Sequence, residues 1–112
     1  MILKDLKDRC DPRWTCLLVV DVQNDFVHPK GSAGQRGEDV SAAIASVPKL
    51  LRLIEAARGV SLPIVYVRTT HSEWTDTDSW VYRKSQRSGL MTCREGTWGA
   101  EFYEGISPLP RE

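Results

Sequence analysis

The residues that could do chemistry begin with Asp21, which directly follows an apolar run in LLVVDVQNDF, residues 17–26. Such a run predicts a buried strand, so we expect Asp21 at its carboxyl end. Open α/β sheets bind ligands beyond the carboxyl ends of their strands. A carboxylate in that stiff, partly desolvated place suits proton transfer. A second interpretation stays open, in which Asp21 only caps a loop or binds backbone N–H groups, as we expect residues 23–25 to do.

Three kinds of site use an aspartate at a strand end. A magnesium-binding acid of a nucleotide hydrolase needs a phosphate loop, and the sequence contains neither GxxxxGKS nor GxxxxGKT. A phosphatase that forms an aspartyl phosphate usually has a second acid two residues on, where this chain has Gln23. The third kind is a cysteine hydrolase, in which an aspartate carries the proton of a thiol nucleophile. The sequence favours this third chemistry.

The thiols and imidazoles of the chain do not predict a metal site. Cys10, Cys16 and Cys93 are odd in number, widely spaced and not arranged as a CxxC pair, which indicates reduced thiols of a cytosolic protein. A zinc site would need more ligands at closer spacing than Cys93, His28 and His71 provide. All three cysteines are interpreted as structural or incidental, with Cys16 inside the first strand and its side chain in the core.

The elements that must position Asp21 follow from the hydrophobic pattern. Residues 15–22 predict a strand buried on both faces, as in a parallel sheet, and residues 27–39 predict a loop. Apolar residues at helical spacing predict a helix over roughly 40–58, and residues 63–69 predict a second strand. A strand, a helix and a strand with short joins form a βαβ unit, so the two strands should be parallel.

Pro48 conflicts with one continuous helix, because proline lacks an N–H group and clashes with the preceding turn. Two explanations fit: Ser46 caps a helix whose first turn holds Pro48, or the helix kinks there. Arg58 in the last turn and Gly59 just beyond it predict the end of the helix.

The tail, residues 71–112, holds no clear strand, although residues 80–91 are compatible with a helical turn or two. A tail of this length without elements is uncommon in a complete compact domain. Two strands and one helix also make too small a sheet to stand alone. We therefore expect the chain to form the front part of a larger α/β domain.

Length and charge restrict the function. A chain of 112 residues is enough for one ordinary domain and too short for two. Its 15 basic and 15 acidic residues cancel, which gives no electrostatic argument for nucleic acid or an anionic membrane. No apolar run approaches the length of a bilayer span, and residues 1–10 lack the apolar segment of a signal peptide. We expect a cytoplasmic protein that binds neither nucleic acid nor membrane.

Three stretches carry a family resemblance: VVDVQNDF, ARGVSLPIVYVR and CREGTWGAEFYEGISPLPRE. They resemble, in order, the opening motif, the helix end before the second strand, and the segment before the third strand of the isochorismatase-like cysteine hydrolases. That superfamily includes nicotinamidases, N-carbamoylsarcosine amidase, ureidoacrylate amidohydrolase and biuret hydrolase. The resemblance implies an α/β fold with a three-layer, Rossmann-like parallel sheet. That sheet is incomplete in this chain, whose residues 1–112 form the amino-terminal part of a single domain.

The resemblance also implies a catalytic group of an aspartate, a lysine and a cysteine. In the family, the thiolate attacks a carbonyl, the aspartate carries the thiol proton to the leaving amine, and the lysine stabilises charge. Asp21 matches the aspartate. Lys84 and Cys93 lie in segments that match neither the family lysine nor its cysteine, both of which follow the position of Glu112.

Ligands are implied in the same way. Nicotinamidases bind a metal through an aspartate and a histidine two residues apart, and here Thr69 replaces the aspartate before His71, so we expect neither metal nor other cofactor. The loop of residues 71–83 is similar to that of the ureide- and carbamoyl-cleaving members. This implies a small amide or ureide substrate and a homo-oligomer in the full-length form. Three residues are candidates for substrate binding, each with an alternative that stays open. Phe26 resembles the family's pocket-wall aromatic or anchors the loop from the core, His71 lines the pocket mouth or is a surface-loop histidine, and Trp74 closes the pocket or covers a subunit contact.

Two functions remain open at this point. In the first, the chain belongs to a cysteine hydrolase that cleaves a C–N bond, and Asp21 is the catalytic residue it supplies. In the second, the chain is a catalytically inactive fragment or degenerate paralogue that acts at most by associating with a full-length partner. The missing match to the family lysine and cysteine separates the two, so the sequence alone does not decide whether the chain is an enzyme.

Overall fold

The computed structural model of the chain describes residues 2–112 as a mixed α/β structure. Its elements occur in this order: α1 (Leu6–Arg9), β1 (Leu17–Val20), α2 (Asn24–Val27), α3 (Ser32–Gln35), α4 (Ser41–Gly59), β2 (Ile64–Val67), α5 (Asp78–Arg87) and a 3₁₀ turn (Trp98–Ala100). Both predicted strands and the predicted helix are present, whereas α3 lies in the region predicted to be a loop. Among residues 2–112, no helix combines the length and the apolar character needed to cross a membrane.

β1 and β2 form a parallel pair joined by α4, as the βαβ pattern predicts. Leu17 aligns with Ile64, and Val20 aligns with Val67. The ladder continues one residue beyond β1, because the Asp21 N–H donates to the carbonyl oxygen of Val67 at 2.9 Å. Parallel pairing therefore brings the carboxyl ends of both strands to one edge of the sheet.

Only one face of the sheet is covered by residues 2–112. On that face Val19 and Ile64 are buried against Ile54 of α4 and against Ile106. Alternate side chains point to the opposite face. There the strand residues remain between 41% and 54% exposed: Leu18, Val20, Val65 and Val67. We call these four residues the bare sheet face, and the prediction that β1 is buried on both faces is wrong for the described chain.

Cys16 lies on the side of the bare sheet face. It precedes β1 by one residue and is exposed, as is Cys10. Because side chains alternate along a strand, position 16 falls on the same side as Leu18 and Val20. The prediction that Cys16 points into the core is therefore wrong.

α4 runs through Pro48 as one helix. Ser46 lies inside it, and its hydroxyl donates to the carbonyl oxygen of Ala43 at 2.7 Å, so the explanation in which Ser46 caps the helix is wrong. The helix ends in a Schellman arrangement in which Ser61, with a φ of 55°, takes the left-handed position. Gly59, predicted to lie just beyond the helix, is its last residue.

The tail folds back over the carboxyl edge of the sheet. Gln23 forms an isolated antiparallel bridge with Phe102, and His71 forms a parallel bridge with Arg94. α5 begins at a Thr77 cap whose hydroxyl accepts the N–H of Trp80 at 3.3 Å. The tail thereby contacts the segments that follow β1 and β2, one of which carries Asp21.

Candidate active site

Asp21 lies at the carboxyl end of β1. Its φ of 56° is left-handed, a conformation that costs about 1 kcal/mol for a residue with a side chain. Its Oδ1 accepts a hydrogen bond from the Thr69 hydroxyl at 3.1 Å, and the residue is partly buried. Backbone strain of this kind concentrates at functional sites. The Thr69 hydroxyl and the ladder bond to Val67 together fix where the carboxylate stands.

Gln23 and Asn24 hold the loop behind Asp21. The Gln23 side chain is fully buried, and its Nε2 donates to the carbonyl oxygens of Thr69 at 2.7 Å and Ala100 at 2.8 Å. Its Oε1 accepts the Thr69 N–H at 2.8 Å. Asn24 Nδ2 donates to the Trp98 carbonyl oxygen at 2.8 Å. Both amides therefore satisfy loop backbone groups, as predicted, and Gln23 fixes the residue that orients Asp21.

Asp25 connects this loop to the tail. Its buried carboxylate accepts the N–H groups of Ser32 at 2.8 Å and of Cys93 at 2.6 Å. Gly99 packs directly on it, since a Cβ on Gly99 would lie 2.3 Å from Asp25 Oδ2. Charge-assisted hydrogen bonds of this length are among the stronger ones in proteins. Asp25 therefore also serves backbone groups, as predicted, and joins positions 68 residues apart.

Cys93 is a poor candidate for a nucleophile. Its side chain is fully buried. Burial, together with the negative charges of Asp25 and Asp21, raises the pKa of the Cys93 thiol to about 12. The thiolate is the reactive form of cysteine, so this thiol is inert at neutral pH. That agrees with the structural role predicted for Cys93.

His71 belongs to an ion-paired cluster after β2. Its Nδ1 lies 2.7 Å from Asp76 Oδ1, and the other Asp76 oxygen lies 2.5 Å from a guanidinium nitrogen of Arg94. The His71 ring stacks on Trp80, with 4.0 Å between centroids. Sequence spacing gave no signal for Asp76 or Arg94, because only the folding of the tail brings them to His71.

The structure groups some of the predicted site residues and separates others. Asp21 and His71 share one edge of the sheet, because Thr69 binds Asp21 and His71 follows two residues later. Phe26 is partly buried on α2. Trp74 is 97% exposed. Substrate contacts of Phe26, His71 and Trp74 stay predictions.

The chemistry of this site depends on the Asp21 carboxylate. Within residues 2–112, the Asp21 side chain hydrogen-bonds Thr69 and has no lysine or arginine within 4 Å. In the same part of the chain, no group of three or more histidine, cysteine, aspartate or glutamate side chains is arranged to hold a metal ion. A carboxylate that is oriented but not ion-paired can accept a proton and return it.

Comparison with known protein families gives a match that covers most of the chain. Residues 15–112 match the model of the isochorismatase domain. The match begins just before β1 and includes Asp21, the loop behind it and the whole tail.

Individual relatives agree with that match. Ureidoacrylate amidohydrolase RutB of Azorhizobium caulinodans is 35% identical, over 86% of this chain and 48% of the relative. RutB of Methylobacterium radiotolerans is 24% identical, over 89% of this chain and 44% of the relative. An Arabidopsis thaliana protein named "Probable inactive nicotinamidase" is 32% identical, over 84% of this chain and 47% of the relative. The chain thus spans about half the length of the curated relatives it matches.

Proposed function

Because the chain belongs to the isochorismatase domain family, we propose that it is the amino-terminal part of a cysteine hydrolase that cleaves a C–N bond of a small amide or ureide. The observation that carries the proposal is Asp21, a strained, oriented and partly exposed carboxylate at the carboxyl edge of the parallel sheet. Open α/β folds place reacting groups at this edge. The relatives named as amidohydrolases supply the type of bond.

In the proposed reaction, Asp21 takes the proton of a cysteine thiol, and the thiolate attacks the carbonyl carbon of the substrate. The C–N bond breaks as Asp21 gives that proton to the leaving amine. Water then cleaves the intermediate on the cysteine, which is a thioester from an amide and a thiocarbamate from a ureide. A lysine stabilises the developing charge. Neither Cys93 nor Lys84 is assigned these roles, because Cys93 is buried and protonated and Lys84 is directed to Thr92.

The same proposal covers the substrate pocket, the substrate class, the cellular location and the oligomeric state. Phe26, His71 and Trp74 are assigned to the wall of the substrate pocket. The RutB relatives are named for a ureide substrate, which supports a ureide or linear amide here. The full-length form is proposed to be a cytoplasmic homo-oligomer.

A chimera tests the proposed reaction. Residues 15–112 replace the matching segment of the Azorhizobium caulinodans relative, which supplies the rest of the domain. Purified chimera of native-like circular dichroism is given a panel of amides, ureides and a vinyl ether. We expect ammonia release from an amide or ureide and no cleavage of the vinyl ether. A folded chimera that cleaves only the vinyl ether, or nothing in the panel, would contradict the proposal.

The buried Cys93 favours a second candidate, in which this chain by itself is not catalytic and at most associates with a full-length partner. Within residues 2–112, no hydrogen bond links Asp21 to a lysine or a cysteine. We expect the purified 112-residue chain to release no ammonia from the same panel. Turnover that depends on a cysteine and disappears in Asp21→Ala would exclude this candidate.

A further inference from the structure

A cleft of about 500 Å³ lies between the end of α3 and the carboxyl-terminal half of α5. Its charged lining residues are Arg36, Glu38, Lys84 and Arg87. Three of these are cationic and one is anionic, although basic and acidic residues balance at 15 each over the whole chain. Positive charge is therefore concentrated at this cleft.

Two of the three cations at the cleft, Arg36 and Lys84, share one weak hydrogen-bond acceptor. The Thr92 hydroxyl oxygen lies 3.0 Å from Ser32 Oγ, 3.3 Å from a guanidinium nitrogen of Arg36 and 3.5 Å from Lys84 Nζ. A hydroxyl oxygen has two acceptor lone pairs, so it cannot satisfy three donors. The two longest distances belong to the charged groups. Arg36 and Lys84 thus keep donor capacity for a ligand.

The positive charge is only partly compensated. Arg36 pairs with Glu38 at 2.7 Å, but within residues 2–112 no carboxylate lies within 4 Å of Lys84 or Arg87. Burial, and then the charges of Arg36 and Arg87, lower the pKa of Lys84. Lys84 Nζ lies 5.4 Å from the centroid of the Trp80 ring, which restrains its side chain. Arg36, Lys84 and Arg87 repel one another, and an anion bound between them relieves that repulsion.

We propose that Arg36, Lys84 and Arg87 form a binding site for a small molecule that carries a carboxylate or phosphate group. Guanidinium groups present paired donors that match the oxygens of both anions, and the lysine adds a point charge. The volume of the cleft lies within the range of ordinary small-molecule sites. The site requires neither Asp21 nor the proposed hydrolase reaction, so it stands or falls independently of that function.

Titration of the 112-residue chain with inorganic phosphate, and separately with succinate, tests the site. Total ionic strength is held constant with sodium chloride, and backbone amide resonances are followed by NMR. We expect saturable shifts confined to residues around Arg36, Thr92 and the last turn of α5. Response to phosphate alone, to succinate alone or to both identifies the anion group and supports the site. Shifts that do not saturate, or that spread over the surface, would overturn it.

Two variants and one matched control complete the test. Arg87→Gln removes an exposed cation from the cleft and should weaken binding about tenfold, the loss expected for one charge-assisted hydrogen bond. Lys84→Gln should weaken it similarly. Arg52→Gln makes the same charge change at an exposed position of α4 and should leave affinity unchanged. Unchanged resonances of β1 and β2, which contain none of the substituted positions, report that each variant is folded. Equal weakening by Arg52→Gln, or full affinity in both cleft variants, would refute the proposal.

Discussion

At the scale of single residues, buried hydrogen bonds support two backbone positions of positive φ, Asp21 and Cys93. Asp21 and Cys93 have φ values of 56° and 50°, in the region that side chains disfavour. Asp25 binds the Cys93 N–H, and Gln23 binds both backbone groups of Thr69, the partner of Asp21. Buried polar bonds therefore maintain the strain, and the Asp21 carboxylate is oriented before any substrate arrives.

Cys93 provides a test at this scale. Its raised pKa and complete burial predict that it reacts with iodoacetamide at pH 8 at least about 100 times more slowly than exposed Cys10 and Cys16. Peptide mass spectrometry over a time course measures the three rates, and labelling in urea provides the unfolded reference. Equal rates for Cys93 and Cys10 under native conditions would contradict the structure of the Asp25 network.

At the scale of elements, hydrophobic periodicity predicts the helix and the two strands, because these patterns depend only on residues close in sequence. The spacing of Ile44, Val47, Leu51 and Ile54 predicts α4, and the apolar runs predict β1 and β2. The turn after α4 could not be predicted from the sequence, because Ser61 adopts a positive φ for which glycine is the usual signal. The exposed side of β1 could not be predicted, since its apolar run has the same appearance whether one face or both are covered.

The sequence predicts only the part of the site that directly follows β1 and β2. Consecutive parallel strands place Asp21 beside the residues that follow β2, which the sequence anticipates. The contact between Asp25 and Cys93 joins positions 68 residues apart through a tail without periodicity. Asp76 gave no signal for the same reason. Such contacts depend on tertiary folding, which local patterns do not encode.

The end of α4 provides a pH-dependent test. Arg58 binds both carboxylate oxygens of Glu112 at 2.8 Å, and this hydrogen bonding lowers the pKa of Glu112 to about 2. The interaction is therefore complete above the ordinary pKa of 4.5 and is lost as pH falls through about 2. We expect the Glu112 side-chain carboxyl ¹³C resonance to titrate near 2.

A matched pair of variants isolates that interaction. Arg58→Gln should return the Glu112 midpoint toward 4.5, whereas Arg52→Gln, six residues earlier on α4, should leave it low. A wild-type midpoint already near 4.5 would show that the Arg58–Glu112 interaction, which joins α4 to the tail, does not form in solution.

At the scale of the whole molecule, the chain is less compact than a closed domain. Its radius of gyration is 16.8 Å and its longest dimension is 46 Å, whereas a compact chain of this length has a radius of gyration of about 13 Å. The bare sheet face is a second departure from a closed domain, because no layer of residues 2–112 covers it. The described chain therefore leaves apolar surface that an ordinary domain buries.

Self-association follows from that surface. We expect the purified chain to self-associate in size-exclusion chromatography with light scattering, or to melt without a sharp transition. Val65→Lys places a charge on the bare sheet face and should reduce association. Val60→Lys, at an exposed position just after α4, should not. A clean wild-type monomer with a sharp cooperative melt would contradict this expectation.

The central claim is that Asp21 carries the proton in C–N bond cleavage, and kcat of the chimera tests it most directly. Asp21→Asn keeps the shape of the side chain but removes its basicity, so we predict a fall in kcat of at least about 100-fold. Asp39→Asn is the control, because Asp39 is exposed and accepts the Ser41 N–H, a role that asparagine retains. It should leave kcat unchanged. An Asp21→Asn chimera that releases ammonia at the rate of the parent chimera would contradict the claim.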